Sequence, residues 1–314
     1  MTNPPKELHL QEKRNFKQYL ELSRYGRSVL PDWFMPMLDD QARNVFYRQM
    51  IQGRVKDKVV VDLGSGTGMW SIEALAQGAK FVYLIERNPL LIEYLKVIFK
   101  DRPVKIISMP IEELSQSDFD QGVPEVIVHE LFGIAGLGEG VIPLFQKVWK
   151  LFDPKTVELI PQHTWLEGRV LHRLPLPLSP QEKTHLGGNE ELFYEIIYPF
   201  ELTNKVRSGK NKGPSSQASP LIYLDLKDIT DDRYYELDPM PVEFKPGHVH
   251  TVHVSFKFSA YKEGPFFDTF LEDHHHWGDA EIDFYVSRNI APTTKKLTLK
   301  LQENSNLDYP QFED

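Results

Sequence analysis

The rhythm of apolar and polar positions changes near Pro161, and the two rhythms predict two kinds of structure. Val59 to Val61 is a continuous branched run, as in a strand covered on both faces, and it leads through Asp62 and Leu63 into a turn carrying Gly64, Gly66 and Gly68. Met69 to Gln77 reads as a helix closed by Gly78, and Phe81 to Ile85 as a second apolar strand ending in Glu86. Asn88 and Pro89 open an amphipathic helix, Val104 to Ser108 forms a third strand before Glu112 and Glu113, and Glu125 to Val128 forms the next. Strand and helix alternate, which predicts α/β architecture with a parallel, doubly wound sheet and ligands at the carboxyl ends of its strands.

Beyond Pro161 the period becomes two. Prolines cluster between Leu174 and Pro180, His250, Val252, Val254, Phe256 and Phe258 share one face of a strand, and Leu297, Leu299 and Leu301 share one face of another. The second half is therefore expected to be mainly antiparallel β. Arg207 to Ser219 is small, polar and basic and reads as a flexible loop, and no internal repeat is evident. With 314 residues, the chain is expected to form two domains, 53–161 and 162–314, after an N-terminal helical segment over 1–52.

The glycine turn is where chemistry enters. Its three glycines let the backbone pass close to a ligand, but Met69 stands where the dinucleotide pattern G-x-G-x-x-G needs its last glycine. That favours S-adenosylmethionine over NAD, and Glu86 at the next strand end is placed to accept ribose hydroxyls. A second candidate follows the fourth strand, where Glu130 and Glu139 bracket a loop with Gly133, Gly136 and Gly138. Paired carboxylates can grip a planar guanidinium and align one of its nitrogens with an electrophilic methyl group.

Composition narrows the classes further. There are no cysteines, which excludes disulfides and thiolate metal sites and suits a reducing cytoplasm. The N-terminal stretch lacks a signal-peptide core and no segment approaches a membrane span, so a soluble cytoplasmic protein is expected. A net charge of −9 argues against direct nucleic-acid binding.

From about Tyr25 to Arg169 the sequence resembles the protein arginine methyltransferases. The spacing of Glu130 and Glu139 matches that family's double-glutamate loop, HELFGIAGLGEG is similar to the branch with an ELF and GEG loop, and Met37 to Arg43 with Tyr47 resembles the helix that covers the cofactor. The resemblance implies a class I methyltransferase fold, a Rossmann-like sheet with N-terminal helices and a β-barrel-like acceptor domain. It implies that Tyr25, Arg43, Asp62, Gly64, Ser65, Gly66, Glu86 and Glu112 bind S-adenosylmethionine, with Arg43 on the methionyl carboxylate, Glu86 on the ribose and Glu112 at the adenine edge. Glu130 and Glu139 would hold the substrate guanidinium, His276 would pair with Asp40, and Trp277 would face the acceptor. Asp40, Arg43 and Tyr47 are expected on one helical face.

The chain departs from the family at Ser28, Leu131 and Val141, in its His274 to Trp277 loop, and in having no recognisable dimerisation arm between Leu174 and Pro246. The implied partner is an arginine in a protein or peptide, with a homodimer possible within the family. Two alternatives stay open: a small-molecule enzyme acting on free arginine or another guanidino compound, and an inactive cofactor-binding protein acting through contacts.

Overall fold

A computed structural model describes residues 34–175, 177–197, 206–209, 217–229, 236–272, 277, 279–300 and 311–313. Two short helices, α1 (Phe34–Asp39) and α2 (Gln41–Ile51), lead into β1 (Val59–Leu63), α3 (Met69–Ala76), β2 (Phe81–Ile85), α4 (Pro89–Ile98), β3 (Val104–Ile107), β4 (Val126–His129), α5 (Val141–Leu151) and β5 (Glu158–Ile160). Their strands form one parallel sheet in the order β3-β2-β1-β4-β5. Every residue of β1 is buried, which is why its sequence is a run rather than an alternation. The Asn88 side chain accepts from Leu90 N and Pro89 starts α4, so that helix is capped as its sequence implies.

The strand before the acidic loop is displaced by one residue from its expected bounds. His129, not Glu125, belongs to it, because His129 pairs with Leu63 across the central register. The helix over the turn differs more. Asp40 is not on a helical face with Arg43 and Tyr47; it breaks the chain between α1 and α2 with an extended backbone and caps α2 by accepting from Arg43 N at 2.9 Å.

The second half holds β6 (His163–Arg173), α6 (Pro180–Leu186), α7 (Glu190–Leu192), a wide helical turn at Phe193–Ile197, β7 (Val206–Gly209), β8 (Ser219–Asp225), β9 (Met240–Phe244), β10 (Val249–Ser259), β11 (Phe267–Asp268), β12 (Asp279–Tyr285), β13 (Thr293–Thr298) and β14 (Gln311–Glu313). All its pairings are antiparallel, in the orders β7-β12-β10-β6-β8, with β11 on β10, and β14-β13-β9. The expected loop at Arg207 to Ser219 is strand at both ends: Arg207 to Gly209 lies in β7 against β12, and Ser219 begins β8. Edge pairing uses the backbone, so small polar side chains do not prevent it.

A helical insertion does lie between β6 and β7. Its start is marked by a capping box in which Ser179 and Glu182 bond reciprocally, with Pro180 in the first turn. Among the described residues no helix is long and apolar enough to cross a membrane. One continuous hydrophobic core takes in residues of both halves, from Val60 and Leu84 to Phe256, Phe258 and Trp277.

Candidate functional site

The glycine turn leaves the carboxyl end of β1 with Gly64, Gly66 and Gly68 at φ +69°, +56° and +76°, a region that L side chains avoid. The three glycines do different work. A Cβ at Gly68 would stand 2.5 Å from the Phe99 ring, whereas one at Gly66 would meet nothing closer than 3.8 Å. Gly68 thus serves packing and Gly66 leaves room for a ligand. Ser65 is buried and donates through Oγ to Asp62 O at 2.9 Å.

Asp62 is 1% exposed. Its Oδ2 accepts from Ser71 N at 3.0 Å and Ser71 Oγ at 2.6 Å, while Oδ1 is buried with no partner. Burial raises its pKa to about 7, against the lowering effect of those bonds and of the Arg43 charge. Glu86 accepts from three backbone N–H groups, Gly66 at 2.8 Å, Arg87 at 2.8 Å and Asn88 at 2.7 Å, so it first of all shapes the turn. Glu112 is exposed in the short turn Ile111–Glu113 after β3.

Arg43 on α2 crosses from this turn to the acidic loop. Its Nη1 donates to Asn44 Oδ1 at 2.9 Å and its Nη2 to Glu130 Oε2 at 2.8 Å, and its guanidinium lies 4.9 Å from the Trp70 ring. Arg43 Nε is buried with no hydrogen-bond partner. Glu130 Oε1 accepts from the Trp277 indole at 2.9 Å, so the two halves of the chain meet on one carboxylate. Trp277 is 3% exposed; it reaches Glu130 directly.

The loop after Glu130 folds back on itself. A Cβ at Gly133 would lie 2.8 Å from Glu139 N, and one at Gly136, at φ +75°, would lie 2.5 Å from Phe256 Cγ on β10. Glu139 is exposed, yet surrounding protein first and then the Glu130 charge raise its pKa to about 7, with Arg87 opposing. The loop also touches the glycine turn, since a Cβ at Gly64 would stand 3.1 Å from Leu131 Cδ2.

The structure thus gathers Arg43, Asp62, Gly64, Ser65, Gly66, Glu86, Glu130, Glu139 and Trp277 around one sheet edge. Tyr25 and His276 lie outside the described residues, and with them the expected pairing to Asp40. Trp70, Asn44 and His129 are neighbours that local patterns did not single out. Trp70 follows the turn directly and is the most legible of them, stacking on Tyr47 at 4.5 Å.

A family model described as conserved hypothetical protein 95 matches residues 34–114. Protein arginine N-methyltransferase 7 of Rattus norvegicus is 30% identical over 177 residues, which cover 52% of this chain and 24% of that protein. The chain therefore spans about a quarter of that relative's length. An arginine N(omega)-methyltransferase of Streptomyces achromogenes subsp. streptozoticus is 26% identical over 210 residues, 65% of this chain and 58% of that protein. The crystal structure of PRMT6-SAH has the same fold at TM-score 0.62 and 18% identity, covering 88% of this chain and 98% of that one. The Trypanosoma brucei PRMT1 enzyme-prozyme complex with AdoHcy likewise matches at TM-score 0.63 and 19% identity, over 89% and 93% of the two chains. The parallel sheet followed by an antiparallel second half is the fold of these solved structures, and in sequence the chain is similar to arginine methyltransferases over about half of its length.

Proposed function

We propose that this protein transfers a methyl group from S-adenosylmethionine to a guanidino nitrogen, of arginine in a protein or peptide. The observation that carries the reading is the contact between the glycine turn and the loop of Glu130 and Glu139, which sets two carboxylates beside a ligand-accepting backbone. Bound there, S-adenosylmethionine would supply an electrophilic methyl group.

The residues present fit that cofactor. Arg43 Nε is a buried donor without a partner and Asp62 Oδ1 a buried acceptor without one, and the two groups are close enough for the Arg43 charge to lower the Asp62 pKa. One unpaired donor and one unpaired acceptor complement the carboxylate and ammonium of an amino acid, as a methionyl end provides. Gly64, Ser65 and Gly66 would lie under that end, with Glu86 and Glu112 toward the nucleoside.

Glu130 and Glu139 would grip the guanidinium, each charge-assisted hydrogen bond contributing roughly 1.5–3 kcal/mol. Arg43 and Trp277 fix the Glu130 carboxylate before any acceptor arrives, and such fixed geometry can remove roughly 7–11 kcal/mol of barrier. A second reading, methylation of free arginine, is favoured by the likeness to the Streptomyces arginine N(omega)-methyltransferase over 65% of this chain. The helical insertion between β6 and β7 supports the homodimer that the family resemblance implies, and sedimentation velocity checks it.

Purified protein is to be incubated with labelled S-adenosylmethionine and either a mixed arginine peptide library or free arginine, then hydrolysed to identify the methylated amino acid. Methylarginine in the peptide arm alone supports the first reading and in the free-arginine arm the second. Label in neither arm, with S-adenosylhomocysteine still raising the melting temperature, would leave only a cofactor-binding protein.

A further inference from the structure

His129 is 0% exposed and is the last residue of β4, immediately before Glu130. Its Nε2 lies 2.9 Å from Pro161 O. A carbonyl only accepts, so Nε2 carries the proton and donates, and Nδ1 remains a buried lone pair with no partner. Pro161 is the seam between the two halves: β5 ends at Ile160 and β6 begins at His163, while Gln162 N already donates to Ser259 O of β10 at 3.0 Å. The carbonyl of His129 in turn accepts from Tyr47 OH at 3.0 Å, which ties in α2. Phe145 packs edge-on against the imidazole at 4.8 Å. Burial lowers its pKa to about 4, so the ring is neutral at working pH and keeps the single tautomer that the carbonyl selects.

An apolar residue would fill this place in the strand without leaving a lone pair unpaired in the core. What the imidazole adds is one donor reaching from the root of the acidic loop to the interdomain seam. We propose that His129 is a positioning residue for the acceptor site, holding Glu130 in register with Trp277 of the other half through its bond to Pro161. This rests on the proposed function, in which Glu130 holds the guanidinium.

His129→Leu and His129→Gln are to be compared with the parent by hydrogen–deuterium exchange and by transfer kinetics. Gln places an N–H donor near the Nε2 position and Leu places none. In the Leu variant, amides between Glu130 and Gly140 should exchange about tenfold faster while those between Val59 and Ile85 stay unchanged. Its kcat should fall about tenfold with cofactor affinity within about twofold, and the Gln variant should regain most of both losses. Unchanged loop exchange in the Leu variant, acceleration spread equally through β1 and β2, or no recovery with Gln would each overturn the proposal. If the parent protein methylates no guanidino acceptor, the proposed function fails, while the exchange pattern still decides whether His129 holds the loop.

Discussion

In the proposed reaction Glu139 must be ionised to bind the guanidinium, and its surroundings favour the protonated form. Desolvation by the surrounding protein and then the neighbouring Glu130 charge push its carboxyl up to about 7, so in the free protein a proton competes with the acceptor near neutrality. Below its midpoint the fraction of molecules carrying the competent carboxylate falls about tenfold per pH unit. With cofactor saturating, kcat/KM should therefore rise about tenfold per pH unit on the acid side and level off near neutrality, provided the acceptor itself does not titrate there. Carbon-13 titration of the Glu139 carboxyl should give the same midpoint, and Glu130→Gln should move it downward by removing the like charge. A profile flat down to pH 5, or a Glu139 midpoint that ignores Glu130→Gln, would refute it.

Glu86→Gln replaces an acceptor of three backbone N–H bonds with a group that accepts at one atom, so it should cost about 1–3 kcal/mol of stability as well as cofactor affinity, read by urea melts and calorimetry. Gly136→Ala puts a methyl group 2.5 Å from Phe256 Cγ at φ +75°; overpacking should cost about 1–3 kcal/mol, and transfer should fall while S-adenosylhomocysteine still binds. Asp62, at about 7, keeps in the folded state a proton that the unfolded chain releases near pH ~4. Its contribution to stability thus falls as pH rises from about 4 to about 7 and is constant above, and Asp62→Asn should flatten that part of the stability profile.

Much of this architecture is written locally. Phe81–Ile85 stands on its expected bounds because a parallel strand covered on both faces is an uninterrupted apolar run. The strand before the acidic loop was harder to bound, since a core histidine looks polar in sequence and only its burial shows that it belongs to the sheet. Asp40 fits both an i, i+3 helical face and an N-cap, and spacing alone does not separate them; its extended backbone does. The capping box at Ser179 is written in the sequence but sits at the end of the proline cluster, in a half whose pattern predicts strands. The site is a different matter. Arg43 and Glu130 are 87 residues apart, and Trp277 and Glu130 147 apart. The glutamates and the glycines announce themselves by composition and spacing, while the bonds that orient them depend on how two sheets pack and leave no periodic trace.

Phe258 stacks on Phe132 of the acidic loop at 5.0 Å, meets Phe46 and Tyr47 of α2 at 5.7 and 5.6 Å, and lies 5.2 Å from Trp277. A fragment cut at Pro161 would lose the Phe258 packing on all three and leave Glu130 without its indole. Such a fragment should expose apolar surface and tend to associate, even though its sheet is complete. For anyone grafting a new acceptor half onto this cofactor half, the join to preserve is this ring of aromatics, not the peptide bond between the halves.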